Sequence, residues 1–321
     1  MPQAQSPRIR CRGLTGLRLL AAMAVGMMSL AVLGQTQSAL QAQSRERTMF
    51  VSVLESDGTP VQGLVTADFV IEEDGVEREV LRVGRARAPM QLAVLVDTSG
   101  SAALAISDIR TGLEAFVSRL LESNELTLVT FGGPPRILVE STDQIDRLRG
   151  GIGRIFAYSD SAAYLLDALV ETALGFERRE SPRPVIVVLT SEGLDYSNHS
   201  SEQVLEALQA SHVATHVILL KNLTNTGLGP SRFGNLDFGD SLFQRDQVLE
   251  RGPRTTGGQR RDLLTSSATP DALDGLAGIL TSQYEVVYSR PASLIPPEEI
   301  AVRMRRSDLT AQGIPARRTR D

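Results

Sequence analysis

Asp97, Ser99 and Ser101 stand two residues apart in the run Asp97-Thr-Ser-Gly-Ser101, directly after the apolar stretch Leu92-Ala-Val-Leu-Val96. In a turn, all three side chains can aim their oxygens into one space. One carboxylate and two hydroxyls suit a hard divalent cation, which takes oxygen ligands near about 2.1 Å if it is magnesium and keeps a position for a further ligand. Ser and Asp also cap helices, because both accept from the free backbone N–H groups of a first turn. The five residues alone leave both roles open.

The elements around them decide where such a site would lie. An unbroken Val/Leu run reads as a parallel strand covered on both faces, and in open α/β sheets ligands bind in the crevice beyond the strand ends. After the run comes a helical pattern over Ala102–Leu121, with Leu104, Ile106, Ile109, Leu113, Phe116 and Leu120 at helical spacing. Strands are predicted at Glu125–Phe131 and Arg136–Glu140, around Gly132-Gly-Pro-Pro135. Short helices follow near Thr142–Leu148 and Ala162–Leu174, then strand Pro184–Leu189, helix Ser201–Ala210 and strand Val213–Leu220. A last helix begins at Thr269-Pro270 and runs to Thr281. This alternation predicts an α/β fold with a doubly wound, mostly parallel sheet. Residues 221–254 are rich in Gly, Asn and Ser and read as a long insertion loop.

The flanks are of another kind. Met49–Leu54, Phe69–Glu72 and Val76–Val83 read as short strands separated by Ser-Asp-Gly at 56–58 and Glu-Asp-Gly at 73–75, where Asp-Gly between alternating apolar residues is a hairpin signal. About 40 residues are too few to hold a core unaided. Their expected partners are the C-terminal strands Tyr284–Tyr288 and Glu299–Met304, which would make one small β-unit from both ends of the chain. The expected division is 1–42, 43–89, 90–282 and 283–321.

The order of apolar strand, DTSGS, long helix and Val-Thr-Phe strand resembles the von Willebrand factor type A domain, whose metal-ion-dependent adhesion site carries the pattern D-x-S-x-S. The likeness runs through residues 90–282. The segment VQGLVTADFVIEEDG at 61–75 and TSQYEVVYS at 281–289 resemble an exported, acidobacterial-type subfamily with this domain. The resemblance implies a Rossmann-like fold and a magnesium or manganese site held by Asp97, Ser99 and Ser101. In the family a threonine before the third helix and an aspartate after the fourth strand complete that site. Here Ala163 falls where the threonine belongs, Ser161 replaces it only if the loop shifts by two residues, and Glu192 in Ser191-Glu-Gly193 stands for the aspartate. A weakened ion site is therefore expected, since outer partners alter metal affinity by about 10- to 100-fold.

Of 321 residues, 42% are apolar and 22% charged, an ordinary globular balance. Arg8, Arg10, Arg12 and Arg18 precede the apolar stretch Leu19–Leu33, and no acid occurs before Glu46, which is the layout of a secretory signal over 1–42 cut after Gly34 or Ala42. The stretch falls short of the roughly 20 residues that span a bilayer. Removing four arginines and no acids takes the formal charge from −5 to −9, so the mature chain has little electrostatic attraction for nucleic acid or anionic membranes. The sole cysteine, Cys11, goes with the signal, and the exported chain then has no disulfide.

Other chemistry finds less support. His212 and His216 are four apart, but His212 falls where the helix over 201–210 ends and His216 in the strand expected over Val213–Leu220, so they do not share a helix face. Ser99 lies outside a G-x-S-x-G elbow, and His199, His212 and His216 lie in no recognisable catalytic motif. The expectation is an exported, non-enzymatic binding or adhesion protein. The resemblance implies a partner protein whose acidic side chain completes the ion's shell; the competing reading is a scaffold with a decayed site that binds through residues 221–254 or the β-unit.

Overall fold

The computed structural model describes residues 44–158, 161–221, 237–291, 295, 297 and 299–316. The signal expected over 1–42 lies outside them. By compactness the chain divides into residues 46–289 with 296–321, and residues 1–45 with 290–295. In the latter unit the described residues are 44–45, 290–291 and 295, and the Arg290 guanidinium donates to the Ile295 carbonyl.

The strands β1 (Ser44–Leu54), β2 (Phe69–Glu73), β3 (Val76–Arg78) and β4 (Val80–Arg85) come first. The central part follows as β5 (Gln91–Val96), α1 (Ile106–Leu120), β6 (Glu125–Thr130), β7 (Arg136–Thr142), α2 (Ile145–Ile152), α3 (Leu165–Arg178), β8 (Pro184–Ser191), α4 (Ser201–Ala210), β9 (Ala214–Leu220), α5 (Asp237–Thr255), β10 (Arg260–Leu263) and α6 (Thr269–Thr281). The strands β11 (Tyr284–Pro291), β12 (Ile300–Met304) and β13 (Thr310–Pro315) end the chain.

The central sheet has the order β10-β9-β8-β5-β6-β7 and is parallel except for β7, which runs antiparallel to β6. β8 and β9 are buried at every position, which is why they read as continuous apolar runs. One face packs on α1, α2 and α6 through Leu113, Phe116, Leu148, Ile152, Leu273 and Leu276. The other packs on α3, α4 and α5 through Leu165, Leu169, Val204, Leu208, Val248 and Leu249. The fold is thus the expected doubly wound α/β sheet. From β5 the chain moves to β6 on one side and later returns to β8 on the other, so the topological switch point lies between the carboxyl ends of β5 and β8.

Chain ends combine into two further sheets, β13-β1-β11-β4 and β12-β2-β3. Asp74 and Gly75 both take positive φ, 50° and 76°, the geometry that an Asp-Gly hairpin turn demands. Between these sheets lie Met49, Val51, Phe69, Ile71, Tyr284, Val286 and Tyr288. The buried Glu73 accepts from Tyr288 Oη at 3.0 Å and Arg78 Nε at 3.1 Å.

Several expectations need correction. Residues 221–254 are not a loop throughout: 222–236 lie outside the described residues, but Asp237–Thr255 is a helix whose Arg245, Val248 and Leu249 are buried. The run expected as one strand over 76–83 is two, β3 and β4, which join different sheets. The short β10 and β13 have no counterpart among the strands expected from the sequence. A 3-10 turn over Gly100–Ala105 precedes α1 and leaves Leu104 exposed rather than on the core face.

Candidate functional site

The motif leaves the carboxyl end of β5 and is held from three directions. Asp97 N–H donates to the Leu189 carbonyl of β8 at 2.8 Å. Thr98 accepts twice, at Oγ1 from Gly132 N–H (3.0 Å) and at its carbonyl from Tyr158 N–H (2.9 Å). Gly100 N–H donates to the Ser161 carbonyl at 3.0 Å. Gly132 is required by close approach, because a Cβ there would lie 2.1 Å from the carbonyl carbon of Thr98.

Asp97 has no solvent exposure. Its Oδ1 accepts from Ser99 N–H at 2.8 Å, while Oδ2 accepts from the Thr190 hydroxyl at 2.9 Å and Ser191 N–H at 3.2 Å. The Ser99 and Ser101 hydroxyls face each other at 2.8 Å. The sequence spacing therefore does bring Asp97, Ser99 and Ser101 to one place, at the switch point. Ser161 adjoins them through its backbone, but its hydroxyl donates to the Tyr158 carbonyl at 2.9 Å. Glu192 lies just beyond β8, where its Oε1 pairs with Lys221 Nζ at 2.9 Å. Ala163 is buried and forms a bridge with Asp195.

One cation reaches the motif that sequence reasoning missed. Arg245, 1% exposed, extends from α5 and donates through Nη1 to the Gly193 carbonyl (2.5 Å) and through Nη2 to the Ser191 carbonyl (2.5 Å) and Thr190 Oγ1 (2.6 Å). The same Nη2 is 3.9 Å from Asp97 Oδ2. Gly193 lies between this guanidinium and the motif, since a Cβ there would be 2.9 Å from Ser101 Oγ and 3.8 Å from Arg245 Nη1. The available signal was helical spacing of Arg245 with Val248, Leu249 and Gly252, on the assumption that the arginine counts as inward-facing.

The divalent ion implied by D-x-S-x-S does not fit this arrangement. Both oxygens of the sole carboxylate at the motif already accept hydrogen bonds, a buried guanidinium supplies the balancing charge, and Glu192 turns to Lys221.

Beside the motif, a cavity of about 350 Å³ is lined by residues including Asp195, Ser197, His199, Asp240 and Ser241. Asp195 caps α3, accepting from Leu165 N–H at 2.7 Å and Ser197 N–H at 3.0 Å. Burial raises its pKa above the usual carboxylate value, against the pull of those donors and of Arg245. His199 Nδ1 is paired with Asp167 Oδ1 at 2.7 Å. Among the described residues the Ser99 hydroxyl is bonded to Ser101 and to no histidine. His212 has φ 51° at the end of α4, and His216 is buried in β9, so the two histidines form no pair.

A family model for the von Willebrand factor type A domain matches residues 92–193, less than half of the chain. That span runs from β5 to just past β8 and includes the motif. A search of curated proteins finds no match. Solved structures that resemble this chain include the conserved hypothetical protein BatB from Bacteroides thetaiotaomicron, with 14% identity, TM-score 0.41, and coverage of 60% of this chain and 100% of that one. The vWF domain of the type V pili tip protein Mfa5 from Porphyromonas gingivalis matches with 12% identity, TM-score 0.45, and coverage of 61% and 96%. Proximal thread matrix protein 1 from the mussel byssus, with a zinc-occupied MIDAS motif, matches with 14% identity, TM-score 0.46, and coverage of 64% and 47%, so this chain spans about half of it.

Proposed function

We propose that the protein is exported and non-enzymatic, and that it binds a partner protein with the loops at the carboxyl end of its central sheet. Von Willebrand factor type A domains commonly mediate protein contacts. The observation that carries the reading is the placement of exposed aromatic side chains. Among the described residues Phe156, Tyr158, Tyr196 and Phe243 are the exposed aromatics, at 59%, 60%, 50% and 57%; Phe156, Tyr158 and Tyr196 lie on loops, Tyr158 bonded to Thr98 of the motif, and Phe243 lies in the second turn of α5, the helix that carries Arg245. Aromatics are enriched at interfaces and cost free energy when left in water, so their concentration at one end favours a binding face. Arg110 supports this face from beneath, stacked 4.3 Å from the Phe156 ring and bonded to the Ile155 carbonyl. Contact through these side chains needs no carboxylate on a metal ion.

A photoreactive residue placed at Tyr158 or Phe243, with Leu174 farther along α3 as control, tests the reading in cells that make the protein. Adducts to a protein from 158 and 243 but not 174, persisting in chelator, are expected. Adducts that vanish in chelator, or equal labelling from 174, would overturn it. Mass spectrometry of the same material should find an N-terminus after Gly34 or Ala42; an intact Met1 in the cytosol would refute export.

A further inference from the structure

We infer that Arg245 is a built-in cation, holding at the motif the positive charge that a divalent ion would otherwise bring, so that the site works without metal and excludes it. Four oxygens converge on the guanidinium: the carbonyls of Ser191 and Gly193, the hydroxyl of Thr190 and the carboxylate of Asp97. Three hydroxyl or carbonyl oxygens with one carboxylate are the kind of donor set that a hard cation takes, and here a planar fork of N–H donors uses it. Both Asp97 and Arg245 are shut off from solvent, at 0% and 1% exposure, so the charge cannot be supplied by passing ions. A buried carboxylate must be paired, and the pairing comes from the same chain. A divalent ion arriving at Asp97 would meet a fixed positive charge about 4 Å away, while the neighbouring Glu192 is engaged by Lys221. Exchange would require Arg245 to leave four partners and carry its charge out of the core.

The inference concerns the charge at the motif and stands whether or not the aromatic rim binds a protein. Its test is titration of the purified full chain with manganese and magnesium chloride by calorimetry, beside Arg245→Gln and Arg245→Lys, with thermal melts of each to show that it folds. Wild type and Arg245→Lys should show no saturable binding, while Arg245→Gln gains manganese affinity by about 100-fold or more, the loss of one repelling charge at this distance. An Asp97→Asn change added to Arg245→Gln should remove the gain. Saturable binding by wild type that Asp97→Asn abolishes overturns the inference, and this arm remains readable if Arg245→Gln fails to fold. A folded Arg245→Gln protein with no gain overturns it equally.

Discussion

Removing Asp97 should damage the fold before it damages any recognition, and the size of the effect follows from what the carboxylate touches. Asp97→Ala deletes the acceptor of three donors, Ser99 N–H, the Thr190 hydroxyl and Ser191 N–H, and takes away the carboxylate that stands 3.9 Å from the buried Arg245 guanidinium. Breaking a buried pair from one side costs about 3–5 kcal/mol, because an uncompensated charge stays in the core. At about 2–4 °C per kcal/mol for a domain of this size, the melting temperature should fall by roughly 10 °C. Arg245→Met should cost a comparable amount, whereas the double variant should cost less than the two added together by about 1–3 kcal/mol, since no stranded charge remains. The assay is urea unfolding followed by circular dichroism in chelator, so that no metal contributes. Additivity within about 0.5 kcal/mol would refute the coupling; an Asp97→Ala cost below about 1 kcal/mol would show that the carboxylate is not held as a structural partner.

Two further outcomes concern residues outside the DTSGS run. His216 is buried with neither ring nitrogen hydrogen-bonded among the described residues, and burial pushes its pKa from 6.5 to about 4. The unfolded imidazole takes a proton first, so its share of stability is complete above about pH 6.5 and is lost as pH falls toward 4. Between pH 7.5 and 5 that share is about 2 kcal/mol, and unfolding at the two pH values should show a difference that shrinks by this much in His216→Val; an unchanged difference would refute the assignment. Gly132→Ala should cost about 1–3 kcal/mol, because its methyl meets the Thr98 backbone rather than a yielding side chain. Gly150→Ala on α2, with nothing within 4 Å, should be neutral or stabilising by thermal melt, and equal behaviour of the two variants would count against the contact.

Much of the fold was written locally. The runs that became β5, β8 and β9 are apolar at almost every position because both faces are covered, and that composition is visible without knowing what covers them. Asp74-Gly75 specified its own hairpin, and Thr269-Pro270 its own helix start, because backbone conformation at those residues is set by the residues themselves. The DTSGS spacing likewise sufficed to gather three side chains at a strand end. The cation beside them was not legible. Arg245 lies in a helix whose other buried positions, among the described side chains, are Val248, Leu249, Gly252 and Pro253, so a stripe diluted by polar residues and closed by Gly and Pro reads as a loop. The ends β10 and β13 were hidden for a related reason: Arg260–Leu263 and Thr310–Pro315 are strands through pairing with Val217–Leu220 and with β1, not through any apolar alternation. Sequence determined the oxygens of the motif and the sheet that presents them, because strand burial and turn chemistry are local. Tertiary structure alone decided which positive charge stands against Asp97, because that depends on a helix far along the chain folding back over the switch point, where burial obliges the carboxylate to find a partner.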